Sequence, residues 1–152
     1  MSKISELGKD YKNLPKILEV YDQKLNDASD HIKIAGKTLE ASNKENSAWL
    51  YYYDQRRVEL HALVKFFRGE ETRVRGNLYK SYKENYKVAL GERDIIRYID
   101  SEPEYLKIHN LLIEVEEIYE MYKAVVEAFI SRNYSLSAIT KARIASLENV
   151  DI

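Results

Sequence analysis

From Tyr105 to Phe129 the apolar residues advance by alternating steps of three and four without a gap: Tyr105, Ile108, Leu112, Val115, Tyr119, Tyr122, Val126 and Phe129. Only an α-helix brings a series of that kind to one side of the chain. Leu111, Ile118 and Val125 add a further row at a seven-residue interval, while Glu114, Glu116, Glu117, Glu120 and Glu127 occupy the remaining positions. The resulting apolar face is wider than a two-stranded coiled-coil seam needs. Its start is signalled by Ser101-Glu-Pro-Glu104, which offers a serine cap, a proline for the first turn and a glutamate at the capping-box position. The spacing predicts a helix to about Ser131, a break over Arg132–Ser135, and a last amphipathic helix over Leu136–Leu147. Leu136, Ile139, Arg143 and Leu147 then form a stripe suited to packing on a neighbouring subunit.

The rest of the chain carries the same signature more loosely. Trp49, Tyr53, Leu60, Leu63 and Phe67 follow helical steps with Arg56 filling the one gap, and Tyr52, Val64 and Phe66 broaden that face. Ser42 with Glu45 has capping-box spacing, able to start or re-set this helix. Gly69 and Gly76 fall inside the pattern, where glycine costs about 1 kcal/mol relative to alanine. Gly76 reads as a place where a backbone or ligand comes close. Two helical pieces are expected before residue 40, joined around Asn26–Asp30, with Pro15 in a first turn. A connector is expected over 88–100, with a short helical piece at Ile95–Ile99. Five glycines and two prolines in 152 residues leave little punctuation, and no strand pattern stands out.

The expected fold is therefore all-α, a single domain of long amphipathic helices: an extension over 1–30, a long helical segment over 31–87, and a long helix plus C-terminal helix over 101–148. A helix over 104–130 spans about 40 Å and carries more apolar surface than a few short neighbours cover. A homo-oligomer is expected on that ground, ring-like or an open barrel, with Ile108, Leu112, Val115, Tyr119, Tyr122, Val126 and Phe129 as its contact row.

Functional chemistry concentrates in Arg73–Lys87, which holds two arginines, three lysines and three tyrosines against one acid. Tyr79, Tyr82 and Tyr86 are three and four apart, and so are Lys80, Lys83 and Lys87. On a helix these make a stripe of rings beside a stripe of ammonium groups. A cationic track beside stacking surfaces suits a single strand of nucleic acid. The bland reading is that the tyrosines are half-buried in a core or interface and the lysines snorkel on a solvated face. Net charge is −1, but residues 56–97 carry eleven basic and six acidic side chains, and residues 98–152 carry five and ten. A near-neutral total conceals a basic middle and an acidic last third.

Absence of cysteine excludes disulfides, thiolate zinc and a cysteine nucleophile. His31, His61 and His109 lack a second ligand at metal spacing. No phosphate-cradling glycine loop, serine elbow or perturbed carboxylate pair argues for an enzyme or a cofactor. Trp49 and Tyr51–Tyr53 read as core packing ahead of base stacking, with Arg56 or Arg57 meeting an acid or a ring near that stripe. No apolar run approaches membrane-spanning length, and the N-terminus has no signal core, so an intracellular, non-secreted setting is expected.

Three elements together resemble the UvsY-like recombination mediators of T-even-type phages, most closely those of related marine phages. The first is Ala48-Trp49-Leu50 in a long helix, with Arg73-Val-Arg75 some two dozen residues later, ahead of tyrosines. The second is the connector leading to an aromatic-rich apolar helix. The third is Ser131-Arg132 with Tyr134, Ile139 and Arg143. The resemblance covers about residues 35–148; the longer N-terminus and Gly76 depart from the family pattern, leaving the role of residues 1–30 open. It implies a non-enzymatic homo-oligomer that binds single-stranded DNA in recombination, repair and replication. Such a protein loads a UvsX-like phage recombinase on strands coated by the phage single-strand-binding protein, in the cytoplasm of the infected host. It also implies Arg73 and Arg75 as the DNA-binding pair. The Lys80/Lys83/Lys87 and Tyr79/Tyr82/Tyr86 stripes come from spacing alone. A structural helical oligomer or assembly scaffold without nucleic acid remains the alternative.

Overall fold

The computed structural model describes residues 11–85 and 90–148, and all regular structure among them is helical. A 3-10 turn at Tyr11–Asn13 leads into α1 (Leu14–Asn26), whose first turn holds Pro15, a position where its missing N–H is harmless. α2 (Ala28–Ile32) begins after a joint at Asp27, inside the span expected from sequence. Gly36, with φ +81°, then turns the chain through the left-handed region that glycine enters at least cost.

α3 (Leu39–Asn85) is 47 residues long and starts before the expected capping box. Thr38 is the cap: its Oγ1 accepts from the Ala41 N–H at 3.2 Å. Ser42 lies inside the helix and is buried. Neither Gly69 nor Gly76 interrupts α3, and a Cβ placed on either would meet nothing within 4 Å. Among the described residues no backbone comes close to Gly76, so none of them makes the contact expected there. The helix tolerates both glycines because its flanking turns bury Leu63, Phe67 and Val74, gains well above the local penalty.

α4 (Glu92–Ser101) is longer than the expected Ile95–Ile99 piece. Ser101 is its last residue, and its hydroxyl donates back to the Tyr98 carbonyl at 2.8 Å rather than capping the next helix. Glu102, in extended conformation, takes the capping position, and its carbonyl accepts the Leu106 N–H at 2.9 Å. α5 (Pro103–Glu148) then continues for 46 residues with no break at 132–135. Steps of three and four run on from Phe129 through Arg132 to Leu136, all three buried. Arg132 occupies a core position of the same stripe, and nothing in Arg-Asn-Tyr-Ser forces a helix to end.

The chain divides into two compact units, and α3 and α5 contribute a stretch to each. In the unit of Lys12–Val58 and Glu120 onward, α3 and α5 run antiparallel and are closed by α1. Tyr53 stacks on Phe129 at 5.4 Å, Tyr21 meets Tyr122 edge-on at 5.7 Å, and the Tyr122 hydroxyl donates to the Tyr21 carbonyl at 2.9 Å. Burial pushes the Tyr53 hydroxyl up to about 12 and the Tyr122 hydroxyl higher still. His31 lies flat on Trp49 at 3.5 Å with its Nδ1 2.9 Å from the Tyr53 hydroxyl, and Arg56 lies over Tyr52 at 3.4 Å. The expected ring contact of an arginine is thus made by Arg56, while Arg57 holds Asp54.

Arg132 is 3% exposed, with no carboxylate among its hydrogen-bond partners. Its Nε donates to the Ile32 carbonyl at 3.0 Å, and its Nη1 to the Ser42 carbonyl at 3.0 Å and to Asn46 Oδ1 at 2.9 Å. One side chain on α5 thereby fastens both the end of α2 and the first turns of α3. Its Nη2 and the Ser42 hydroxyl find no protein partner.

In the other unit, built on Tyr11 and Glu59–Tyr119, α3 and α5 are again antiparallel and α4 packs across them. Leu60, Leu63, Phe67, Ile108, Leu112 and Val115 are buried, and Tyr119 stacks on His61 at 5.3 Å. The row expected to join subunits is therefore largely internal: Ile108, Leu112, Val115, Tyr122, Val126 and Phe129 are all buried within one chain. A single chain covers this face by folding α3 and the short helices onto it, cover that the periodicity of α5 alone does not reveal. No helix among the described residues is long and apolar enough to cross a membrane.

Candidate nucleic-acid interface

The basic-aromatic stretch lies on the last four turns of α3, and Val74 sets which of its faces points inward. Val74, Ile95, Ile99, Tyr105 and Ile108 form a buried cluster, against which Leu78, Tyr79, Tyr82 and Leu90 pack from its edge. On a helix wheel Val74, Leu78 and Tyr82 share one side, so Arg73, Lys80 and Lys83 are carried to the opposite side. All three are exposed. The two stripes thus exist but have separate fates, with rings turned to α4 and cations to solvent. Tyr86 and Lys87 lie outside the described residues.

The rings are committed to packing. Tyr82 stacks on Tyr98 at 5.6 Å with planes 20° apart, and its hydroxyl donates to the Glu102 carboxylate. Tyr79 is half-buried, with the Lys83 ammonium 5.6 Å from its centroid. Neither is an open stacking platform of the kind the spacing suggested. Tyr98, 44% exposed on the other side of the stack, presents more ring to solvent.

Both arginines already hold carboxylates. Arg73 grips Glu70 through two bonds, at 3.1 and 2.8 Å, and keeps 57% of its side chain exposed. Glu70 also accepts from the Tyr11 hydroxyl. Its carboxyl is held below the ordinary carboxylate range, chiefly by Arg73 and then by Tyr11. Burial, and then the Glu70 contact, push Tyr11 up to about 12. Arg75 meets Asp100 at 3.4 Å and lies 5.7 Å over the Tyr105 ring, with close to half its side chain exposed. The Arg75–Asp100 pair is exposed on both sides and readily exchanged for another anion, whereas Glu70 keeps 20% of its side chain exposed and is tied to Tyr11 as well as to Arg73.

Folding also redistributes the charge asymmetry seen along the chain. Asp100 and Glu116, from the acidic last third, come to Arg75 and Arg68 of the basic middle. No separate basic pole results among the described residues, only a cationic row on α3 with Glu70 and Asp100 on its inner flank and exposed Glu84 one turn after Lys80 on its outer side. Two cations that the basic-aromatic pattern does not single out lie on α4: Arg93 and Arg97, one turn apart and exposed. Their spacing is visible in the sequence, but no aromatic row accompanies it. His109 pairs with Glu71 at 2.7 Å, and no group of three metal-ligating side chains occurs among the described residues.

No family model, curated protein or solved structure matches the chain.

Proposed function

We propose that the chain is a non-enzymatic, self-associating recombination mediator that binds single-stranded DNA along the outward face of α3. In this reading it helps a phage recombinase load on strands coated by single-strand-binding protein, in the host cytoplasm. The observation that carries the binding reading is the solvent-facing row of Arg73, Lys80 and Lys83, with exposed Arg75 on its flank. A phosphate displaces Asp100 from Arg75 at small cost, because that pair is solvated, and it reaches Arg73 from the exposed side of the guanidinium while Glu70 stays tied to Tyr11. Gly76 lies on the same outward face with open space above it, so a phosphate meets no Cβ there. The order of Trp49, Arg73-Val-Arg75, the connector helix and Ser131-Arg132 supports the mediator assignment.

With Tyr79 and Tyr82 packed, affinity per chain rests on phosphate contacts rather than base stacking. Engagement of Arg73, Arg75, Lys80, Lys83 and Lys87 gives a slope of about −3.5 in log K against log salt. The test is a salt-titrated anisotropy assay on single- and double-stranded oligonucleotides, wild type beside an Arg73→Ala/Arg75→Ala variant. Equal affinities for the two proteins at low salt would remove these residues from the site. The second reading, a helical scaffold without nucleic acid, is favoured by the carboxylates already on both arginines. It requires no binding of either oligonucleotide at any salt.

A further inference from the structure

Phe66, Glu70 and Arg73 follow one another along α3 at helical spacing, so they form a row on one flank of the helix. Tyr11 is laid against the start of that row. Its ring meets Phe66 edge-on at 6.2 Å and Phe67 at 5.3 Å, and it packs at the rim of the cluster around Val74. With the ring held there, the Tyr11 hydroxyl reaches Glu70, one turn further along. A chain of contacts results, from ring to helix, from hydroxyl to carboxylate, and from carboxylate to guanidinium.

Two donors share the one carboxylate. Glu70 Oε2 accepts from both the Tyr11 hydroxyl and Arg73 Nη2, and Oε1 accepts from Arg73 Nε. Arg73 Nη1 takes no part in the pair. Glu70 keeps 20% of its side chain exposed against 57% for Arg73, so water serves the cation far better than the anion. A carboxylate so placed depends on protein donors, and losing one costs it more than it would cost a solvated acid. Burial, and then Glu70, push the Tyr11 hydroxyl up to about 12, so it keeps its proton across the neutral range and serves Glu70 as a donor. The lowered Glu70 carboxyl reflects both partners, Arg73 first and Tyr11 next.

The geometry points to Tyr11 as a positioning residue for the phosphate contact of Arg73: by donating to Glu70, it weakens the hold of that carboxylate on the guanidinium. This inference rests on the DNA-binding reading above. It gives the N-terminal stretch, whose role the sequence leaves open, a part in that site. When a phosphate approaches, Arg73 divides its charge and its donors between two anions. A Glu70 already supplied by Tyr11 yields its share at less cost. Without the hydroxyl, Glu70 relies on Arg73 alone and holds it harder. Tyr11 itself contacts no phosphate in this arrangement, so the number of counterions released on binding does not depend on it. Arg75 has less need of such help, because its partner Asp100 keeps 51% of its side chain exposed to water.

The test measures binding of full-length Tyr11→Phe to a single-stranded oligonucleotide by anisotropy over a salt series, in the native and in the Glu70→Gln background. Phenylalanine retains the ring contacts with Phe66 and Phe67, and circular dichroism at the assay temperature verifies that each chain is folded. Tyr11→Phe should weaken binding about fivefold, the worth of about one hydrogen bond. The salt slope should stay at the wild-type value, unlike that of a variant that loses a phosphate contact. In the Glu70→Gln background the same substitution should change affinity less than about twofold, whereas a general loss of structure would weaken both backgrounds alike. Unchanged or tighter binding by Tyr11→Phe, an equal loss in both backgrounds, or a shallower salt slope would each overturn the inference. Any of these, in a protein whose binding still falls on Arg73→Ala/Arg75→Ala, leaves the DNA-binding reading standing without Tyr11. A wild type that binds no oligonucleotide at any salt overturns both.

Discussion

Replacing Arg132 with alanine should destabilise the protein by about 3 kcal/mol, even though Arg132 touches no other charged group through a hydrogen bond. Ile32 ends α2, so its carbonyl lacks a helical amide, and Arg132 Nε is its partner at 3.0 Å. Ile32 is half-buried, so leaving its carbonyl without this partner costs toward the lower end of the roughly 1–3 kcal/mol for an unpaired buried acceptor. Asn46 Oδ1 loses its bond at 2.9 Å, a further ~1 kcal/mol. The Ser42 carbonyl loses less, since it sits inside α3 and keeps a helical amide. Removal of the buried methylenes adds about another kcal/mol, and relief of a desolvated guanidinium with an unpaired Nη2 offsets part of the total. For a chain of this length a loss near 3 kcal/mol lowers the thermal midpoint by about 6–12 °C. Circular dichroism melts of wild type and Arg132→Ala at one concentration read this directly. Arg132→Lys should recover less than half, because one ammonium cannot span the end of α2 and the start of α3 as a planar fork does. A midpoint within about 2 °C of wild type for Arg132→Ala would refute the anchoring role.

Three further outcomes are expected. The Arg73→Ala/Arg75→Ala variant should bind single-stranded oligonucleotide more weakly at low salt, with a salt slope shallower by about 1.4. Gly76→Ala should stabilise α3 by about 0.5–1 kcal/mol, since the helix interior has open space there, as measured by urea midpoint; if a phosphate passes over Gly76, oligonucleotide affinity falls in the same variant. Glu70, with its carboxyl held below the ordinary range, contributes stability that is present above the unfolded carboxylate pKa and lost as pH falls through its lowered folded value. Glu70→Gln should therefore flatten the acid limb of a stability profile below about pH 4.5. The same substitution should strengthen oligonucleotide binding at neutral pH by releasing Arg73.

Periodicity alone makes the two long helices legible, because burial on one side of a helix imposes steps of three and four wherever it occurs. Their ends are less so. Ser42 and Ser101 both have cap chemistry three residues before a glutamate, yet Thr38 and Glu102 hold those positions. Local patterns name several residues able to cap, and the chain's course ahead of the helix selects among them. The expected break at Arg132–Ser135 fails for a related reason. A polar residue on an apolar stripe reads as an interruption until the carbonyls that receive it are known. The stripe's continuation from Phe129 through Arg132 to Leu136 is the signal that it is not one.

The candidate site divides along the same line. That Tyr79 and Tyr82 share one face of α3 while Lys80 and Lys83 share another comes from sequence alone, since helix geometry fixes the angle between side chains. Which face meets solvent is decided by α4, whose Ile95 and Ile99 bury Val74 and draw the tyrosines inward. The apolar row on α5 was likewise certain to be covered, because water penalises exposed apolar surface whatever the partner. Whether another copy or the same chain covers it cannot be read from the row itself. Burial energy depends on area and is indifferent to the source of the opposing surface, so only the packing of α3, α1 and α4 assigns that face to the interior.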